Sequence, residues 1–377
     1  MKVLVIDGQG SGGMHHYARN VFEAVSPNQP TTFLVVKSSA LIGGNGKGLG
    51  GRLQKFGFKL FLKYNPLFHF FKAAVLLRIH QPDIAHFASN MEGLLWWVMA
   101  CRLLGVGTLY TLHDPVPHQE NRSRWSRVIG AIEKTFGTPT LFKTLDRVHI
   151  HSAALLDHKR ANEVRIERRK LCVVQHGGGI TRTVAEGRSR PGEIESMASE
   201  LFVFLFFGRI EPYKGLSVLL ESTRTLSEEG HRFALIIAGA GDLGPPEAWA
   251  GLPVTVLNRF IADEEIRAVF DRANMVILPY LEGTQTGVVP VAAAFERAAV
   301  VTRVGALPEL VEHDRTGFVV DPDDSRALSM AMRTALGDPE RTTRMGKEAR
   351  RYMEQRYAWP IVGRQLSQVY RSISEEG

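Results

Sequence analysis

Two cations and one acid carry the chemistry most easily read in this chain. Arg209 and Lys214 lie five residues apart in Phe207-Gly208-Arg209-Ile210-Glu211-Pro212-Tyr213-Lys214-Gly215, bracketing a turn after an apolar run. Two positive charges held around one turn suit a diphosphate, whose oxygens accept several charge-assisted hydrogen bonds. Further along, Glu282 is followed by Gly283-Thr284-Gln285-Thr286-Gly287. Apolar runs at 275–278 and 300–302 flank that stretch and read as buried strands, with a helix from about Gly287 between them. In such a βαβ unit, unpaired backbone N–H groups and the positive end of the helix dipole converge on the turn. Thr284, Gln285, Thr286 and Gly287 are therefore candidate phosphate ligands. Any α/β protein has turns of this kind; the companion cation pair is what singles this one out.

These residues need a sheet to hold them, and the second half of the chain supplies the pattern. Strands are expected at 201–207, 234–238, 254–257, 275–278, 300–302 and 317–320, with a helix after Lys214 and another opening at Asp263-Glu264-Glu265. The strand at 234–238 ends in Gly239-Ala240-Gly241-Asp242. Asp321-Pro322-Asp323-Asp324 has the look of a metal-binding Asp-x-Asp, but it precedes a helix, so Asp323 or Asp324 is expected to cap that helix. Two last helices are expected at about 339–355 and 360–374.

The first half alternates in the same way. Strands are expected at 3–6, 32–36, 83–87, 107–111, 146–151 and 171–175, with helices at about 14–25 and 91–104. This rhythm implies a parallel, doubly wound sheet with ligands at the C-terminal strand ends. His113 stands at such an end, in Leu112-His113-Asp114-Pro115, and His118 is in the same loop. A turn histidine held by Asp114 is the competing reading of His113. Gly8-x-Gly10-x-x-Gly13 fits the dinucleotide-binding fingerprint, yet the acid expected after the second strand is missing, and Lys37-Ser38 stand there. The stretch 43–48 fails as a P-loop, with Leu41 and Gly48 in the places of the first Gly and the Ser or Thr, and reads as a loop. The organisation expected is a first Rossmann-like domain at 1–178, a linker at 179–199, a second Rossmann-like domain at 200–356, and a helix at 357–377 returning to the first.

Together, the stretches around Arg209 and Glu282 resemble the C-terminal domain of the retaining glycosyltransferases of family 4, which have the GT-B fold. The resemblance is strongest over 201–322. It implies two Rossmann-like domains facing each other across a cleft and a nucleotide diphosphate sugar, UDP- or GDP-linked, as donor. Arg209 and Lys214 match the pair that grips the donor diphosphate, Glu282 the acid that touches the sugar, and Thr284–Gly287 the phosphate cradle. Gly12 and Gly13 match a Gly-Gly pair beside the donor phosphates, Gly239 and Gly241 an element near the base, and His113 a histidine at the sugar. The reaction implied is metal-independent transfer with retention, toward a lipid-linked or polysaccharide-precursor glycan, with no cofactor. One departure is clear: Pro290 stands where the family often has a second Glu for the ribose. Proline is tolerated in a first helical turn, so the helix survives while the carboxylate is lost.

Composition bounds the alternatives. The 377 residues are 44% hydrophobic and 23% charged, which suits a globular protein of two domains. No run of 18 apolar residues suggests a membrane span, and the N-terminus reads as a core strand, so a cytoplasmic protein is expected. The two cysteines, Cys101 and Cys172, have no metal-ligand spacing, and neither do His15-His16 or His149-x-His151. The formal charge of +7 points to an anionic partner. No acid occurs between Glu23 and Asp83, while basic residues alternate with Phe and Leu over 52–78. That mixture suits the surface of an anionic membrane or, alternatively, core helices with snorkelling lysines; it contains no recognised nucleic-acid motif. Two rivals to the transferase remain at this level. One is an NAD(P)-dependent oxidoreductase using Gly8–Gly13, and the other a non-catalytic nucleotide-sugar-binding relative.

Overall fold

The structure, a computed structural model, describes residues 1–10, 12–36, 65–113, 138–154, 166–179, 182–195, 197–198 and 200–376. The chain divides into two units, one formed by Met1–Gly177 with Trp359–Gly377 and the other by Gly178–Ala358.

In the first unit the strands are β1 (Val3–Asp7), β2 (Thr31–Val35), β3 (Ile84–Phe87), β4 (Gly107–Thr111), β5 (Arg147–Ile150) and β6 (Leu171–Val173). They form one sheet in the order β2-β1-β3-β4-β5-β6, and every pair is parallel. Every residue of β1 and β3 is buried, as a sheet covered by helices on both faces requires. Alternation sorts the side chains: Leu4 and Ile6 enter one core, Val3 and Val5 the other. The first core is closed by the helices Pro66–His80 and Leu94–Leu103, the second by Gly12–Val25 and the C-terminal Trp359–Glu376. Val362, Leu366, Tyr370 and Ile373 form the buried stripe of that last helix. A side chain at Gly363 would collide with the Ala24 carbonyl, so its absence sets how closely the two helices approach.

The second unit repeats the plan with β7 (Phe202–Phe207), β8 (Phe233–Ala238), β9 (Val254–Leu257), β10 (Met275–Leu278), β11 (Ala298–Thr302) and β12 (Gly317–Val320). The order is β12-β11-β10-β7-β8-β9, again all parallel. Val203 and Leu205 face one core, Phe202, Phe204 and Phe206 the other. The direction of winding reverses between β7 and β10, which are neighbours, and in a doubly wound sheet the crevice beyond such a point is where ligands bind. Asp324 caps the helix Ser325–Gly337, accepting a hydrogen bond from the Ala327 amide at 2.8 Å, as the sequence led us to expect. Pro290 is the third residue of the helix Val288–Ala294, inside its first turn. Residues 179–199 were expected as a linker. They carry two short helices, Arg182–Glu186 and Gly192–Glu195, whose Val184 and Ile194 are buried.

Candidate functional site

At the switch point of the second unit, the turns after β7, β8 and β10 are laced together. The Gly208 amide donates to the Ala238 carbonyl at 2.9 Å, the Ile210 amide to Ala240 at 2.8 Å, and the Leu281 amide to Tyr213 at 2.7 Å. Glycine is required at two of these contacts. Gly239 (φ 149°) and Gly215 (φ 69°) have backbone that L side chains rarely adopt, and a Cβ would strike the Gly208 and Pro279 carbonyls respectively. The result is a hydrogen-bonded floor that carries Arg209 and Lys214.

The two cations differ sharply. The Arg209 side chain is 76% exposed, with Nη1 3.2 Å from a Glu211 carboxylate oxygen. Lys214, the last residue of the 3-10 turn Pro212–Lys214, is 8% exposed. Its ammonium lies 5.5 Å from the centre of the Tyr280 ring, a cation–π contact. It packs so close beneath Gly208 that a Cβ there would come within 2.9 Å of Nζ. Among the described residues no carboxylate lies within 4.0 Å of Nζ to pair with it. Burial therefore lowers its pKa to about 8, against the opposing pull of Glu211. An ammonium held dry without a counterion is a ready acceptor of an anion.

The turn after β10 is built from Glu282, which is exposed, and from Thr284, Gln285 and Thr286, which are half-buried. Thr286 Oγ1 accepts the Val288 amide at 3.1 Å and so serves the start of the helix. The Ala306 amide donates to the Thr284 carbonyl at 3.0 Å, and the glycine at 305 allows that approach. Gln285 Oε1 is buried and has no hydrogen-bond partner among the described residues. Gly241 (φ 155°) forms a bridge with Ile210, close to the Arg209 turn. Gly287 precedes the first helical residue.

In the first unit, the Gly8–Gly13 loop is organised by a buried carboxylate. Asp7 accepts the amides of Gln9 (2.9 Å) and Gly10 (2.8 Å), the Ser89 hydroxyl (2.7 Å) and the ring Nδ1 of His15 (2.6 Å). Burial alone would raise its pKa, but these four hydrogen bonds outweigh burial and lower it. Two amides that a dinucleotide pyrophosphate would need are thus already spent on Asp7, which counts against the oxidoreductase reading. Gly12 and Gly13 open the helix Gly12–Val25.

His113 lies two residues beyond the end of β4 and is buried. Its Nε2 lies 2.9 Å from the Ala88 carbonyl, and its Nδ1 3.2 Å from Nε2 of His151. A carbonyl can only accept, so Nε2 of His113 carries the proton. Its Nδ1 can then only accept, from His151 Nε2 when the single His151 proton sits there and not on Nδ1, which lies 3.4 Å from the Val174 carbonyl. Both nitrogens are engaged, and burial drives the ring pKa down to about 3. Asp114 and His118 lie outside the described residues, as does the stretch 43–48.

A second chain of polar side chains crosses three strands beside it. Nε2 of His149 lies 2.7 Å from the Val174 carbonyl, so it carries the proton. Its Nδ1 then accepts from Thr111 Oγ1 (3.0 Å), Thr111 accepts from Nε2 of His86 (2.8 Å), and Nδ1 of His86 accepts from the Tyr370 hydroxyl (2.7 Å). The tautomer of each ring follows from the one acceptor-only end, and every ring is neutral. This chain was not anticipated. Its sequence signal is a polar residue near the end of each of three neighbouring strands: His86 in β3, Thr111 in β4 and His149 in β5.

Two Rossmann-like units in one chain, with a cation pair at the switch point of the second, define the GT-B class of glycosyltransferases. Residues 17–177 match the family described as Glycosyltransferase Family 4, and residues 202–338 that described as Glycosyl transferases group 1. Over 313 residues the chain is 31% identical to a D-inositol 3-phosphate glycosyltransferase of Corynebacterium efficiens, covering 76% of this chain and 70% of that protein. Over 226 residues it is 25% identical to the putative colanic acid biosynthesis glycosyltransferase WcaL of Escherichia coli, covering 57% and 54%. Among solved structures, Anabaena Alr3699/HepE in complex with UDP aligns over 99% of this chain and 100% of that one, at TM-score 0.69 and 18% identity. A glycosyltransferase from Rickettsia africae aligns over 100% and 99%, at TM-score 0.73 and 17% identity. The chain belongs to glycosyltransferase family 4.

Proposed function

We propose that this glycosyltransferase moves a sugar from a nucleoside diphosphate sugar to an acceptor hydroxyl with retention at the anomeric carbon. The observation that carries the reading is the buried, counterion-free ammonium of Lys214 beside Arg209 at the switch point. One protein of the same fold, Anabaena Alr3699/HepE, has been solved in complex with UDP and in complex with UDP-glucose, which supports a diphosphate donor.

In this reading the donor diphosphate lies on Lys214, and Arg209 swings from Glu211 to reach it. The bond from the anomeric carbon to the phosphate oxygen breaks as the acceptor oxygen bonds to the same face. The acceptor proton passes to the departing phosphate oxygen, so no side-chain nucleophile is needed. Negative charge grows on that phosphate, and cations already in place there stabilise it most effectively. Glu282 orients the sugar hydroxyls, and a donor hydroxyl supplies the partner that buried Gln285 Oε1 lacks. His113 contributes by packing, because its ring nitrogens are committed to Ala88 and His151. The acceptor proposed is a lipid-linked or polysaccharide-precursor glycan, in keeping with the colanic acid relative. Incubating the protein with UDP- and GDP-sugars and candidate glycan lipids, then assaying free nucleoside diphosphate and the glycosylated product, tests this. Release of neither from any donor would refute it.

A further inference from the structure

Of the large apolar side chains that are exposed among the described residues, most fall on two helices of the first unit. In the helix Pro66–His80 they are Leu67 (63%), Phe71 (62%), Val75 (56%) and Ile79 (67%). In Leu94–Leu103 they are Trp96, Met99 and Leu103. The two helices pack against each other on one face of the sheet.

The first helix is apolar on opposite sides. His69, Ala73 and Leu77 are buried. Leu67, Phe71, Val75 and Ile79 are offset from them by two positions, about 200° around the helix, and face outward. Their spacing of four residues keeps them on one stripe roughly 18 Å long. Core packing explains the inner stripe and leaves the outer one without a protein partner among the described residues. A helix apolar all round belongs in a large core or in contact with lipid, and exposed apolar patches on this scale mark interaction sites.

Charge selects the occupant. The helix carries Lys72 and Arg78 and no acid, and Arg102 is exposed on its neighbour. The preceding stretch 37–64, outside the described residues, holds Lys37, Lys47, Arg52, Lys55, Lys59 and Lys63, also with no acid. Apolar side chains framed by basic ones fit the boundary between the headgroups and acyl chains of an anionic leaflet. No helix among the described residues is long and apolar enough to cross a membrane. We infer that the Pro66–His80 helix lies flat on an anionic lipid surface and inserts Leu67, Phe71, Val75 and Ile79 into it.

Co-sedimentation with vesicles of phosphatidylcholine alone, or of equal parts phosphatidylcholine and phosphatidylglycerol, tests the inference on the full chain. The expected result is binding to the anionic vesicles only, released by salt. Phe71→Ser combined with Val75→Ser should lower partitioning tenfold or more. Both side chains are exposed, so the fold should persist, which thermal melting checks. Phe260→Ser removes the phenyl group of a 79% exposed residue in the second unit and should change nothing. Three results would overturn the inference: no binding of the wild type at low salt; binding indifferent to the double substitution; or a dimer in sedimentation velocity that the substitution converts to monomer without any vesicle binding, which would make a second copy the occupant. UDP affinity measured without vesicles should be equal in all variants, so failure of docking is told apart from failure of the transferase reading.

Discussion

The Tyr370 hydroxyl donates to Nδ1 of His86 at 2.7 Å, joining residues 284 positions apart. Through this bond the C-terminal helix is fastened to a row of neutral histidines inside the first unit. Burial lowers the pKa of His86, His113, His149, His151 and His176, to about 3 for His113 and about 4 for His149.

The sign of the consequence is definite. A histidine whose folded pKa is depressed binds fewer protons than the unfolded chain once pH falls below about 6.5. Stability is full above that pH and is lost as pH falls through it. Each ring still neutral at pH 5.5 costs about 1.4 kcal/mol relative to unfolded chain, so several together make the first unit strongly acid-labile. Asp7, whose folded pKa is also lowered, acts in the same sense, but its contribution is lost only as pH falls through the carboxylate range. Urea midpoints at pH 7.5 and pH 5.5 should differ markedly, and Tyr370→Phe, which leaves His86 Nδ1 without its donor, should cost about 1–3 kcal/mol at either pH. Equal midpoints at both pH values would show that the rings are not buried neutral.

The sheets were legible in the sequence because their strands are unbroken apolar runs. The strands β4, β9, β10 and β12 were expected at the residues where they occur. That Arg209 and Lys214 follow β7 and Glu282 follows β10 was legible because the apolar runs show where those strands stop. The inequality of the two cations was not. Nothing in the spacing says that Lys214 folds under Gly208 onto Tyr280 while Arg209 stays exposed, since that depends on how three separate turns pack. The histidine chain was hidden for a related reason: its members come from β3, β4, β5 and the last helix, and only strand order brings them together. The outward apolar stripe at 67–79 was visible as composition, but which side chains face outward required the packed helix.

Gly215 tests the geometry of the floor. Gly215→Ala places a methyl group against the Pro279 carbonyl at a φ of 69°. The turn carrying Lys214 must then shift, so nucleotide affinity should fall at least tenfold, with a stability loss of about 1–3 kcal/mol from the overpacking. Gly244→Ala is also at positive φ (73°) but has open space around the added methyl group, so it should leave nucleotide affinity intact. Equal affinities in the two variants would mean that the floor does not position Lys214.

If Arg209 and Lys214 serve the donor phosphate as proposed, transfer should persist in EDTA and without added Mg²⁺ or Mn²⁺. The glycoside formed should keep the anomeric configuration of the donor, as read by proton NMR of the earliest product. Loss of activity on chelation with recovery on adding the metal, or an inverted product, would contradict the proposed chemistry.

Lys214 is the residue on which function and stability should separate. The drop of its pKa from 10.5 to about 8 means that the buried ammonium burdens the fold below pH 8, a cost that fades as pH rises toward 10.5. The shift corresponds to roughly 3 kcal/mol at most. Lys214→Met removes the charge and keeps most of the volume, so the variant should melt above the wild type at pH 7. A lower melting temperature would mean that the ammonium is stabilised by contacts other than the Tyr280 ring.

The most direct measurement is calorimetric titration of UDP and of GDP into the wild type and into Lys214→Met at pH 7. The wild type should bind one of the two nucleotides, and the variant should bind it about 10–100-fold more weakly, the worth of one hydrogen bond to a charged group. Wild-type affinity should also fall as pH is raised through 8, because the ammonium that meets the diphosphate is then lost. Equal affinity in a folded Lys214→Met protein, or no binding of either nucleotide by the wild type, would contradict the assignment of this site to the donor diphosphate.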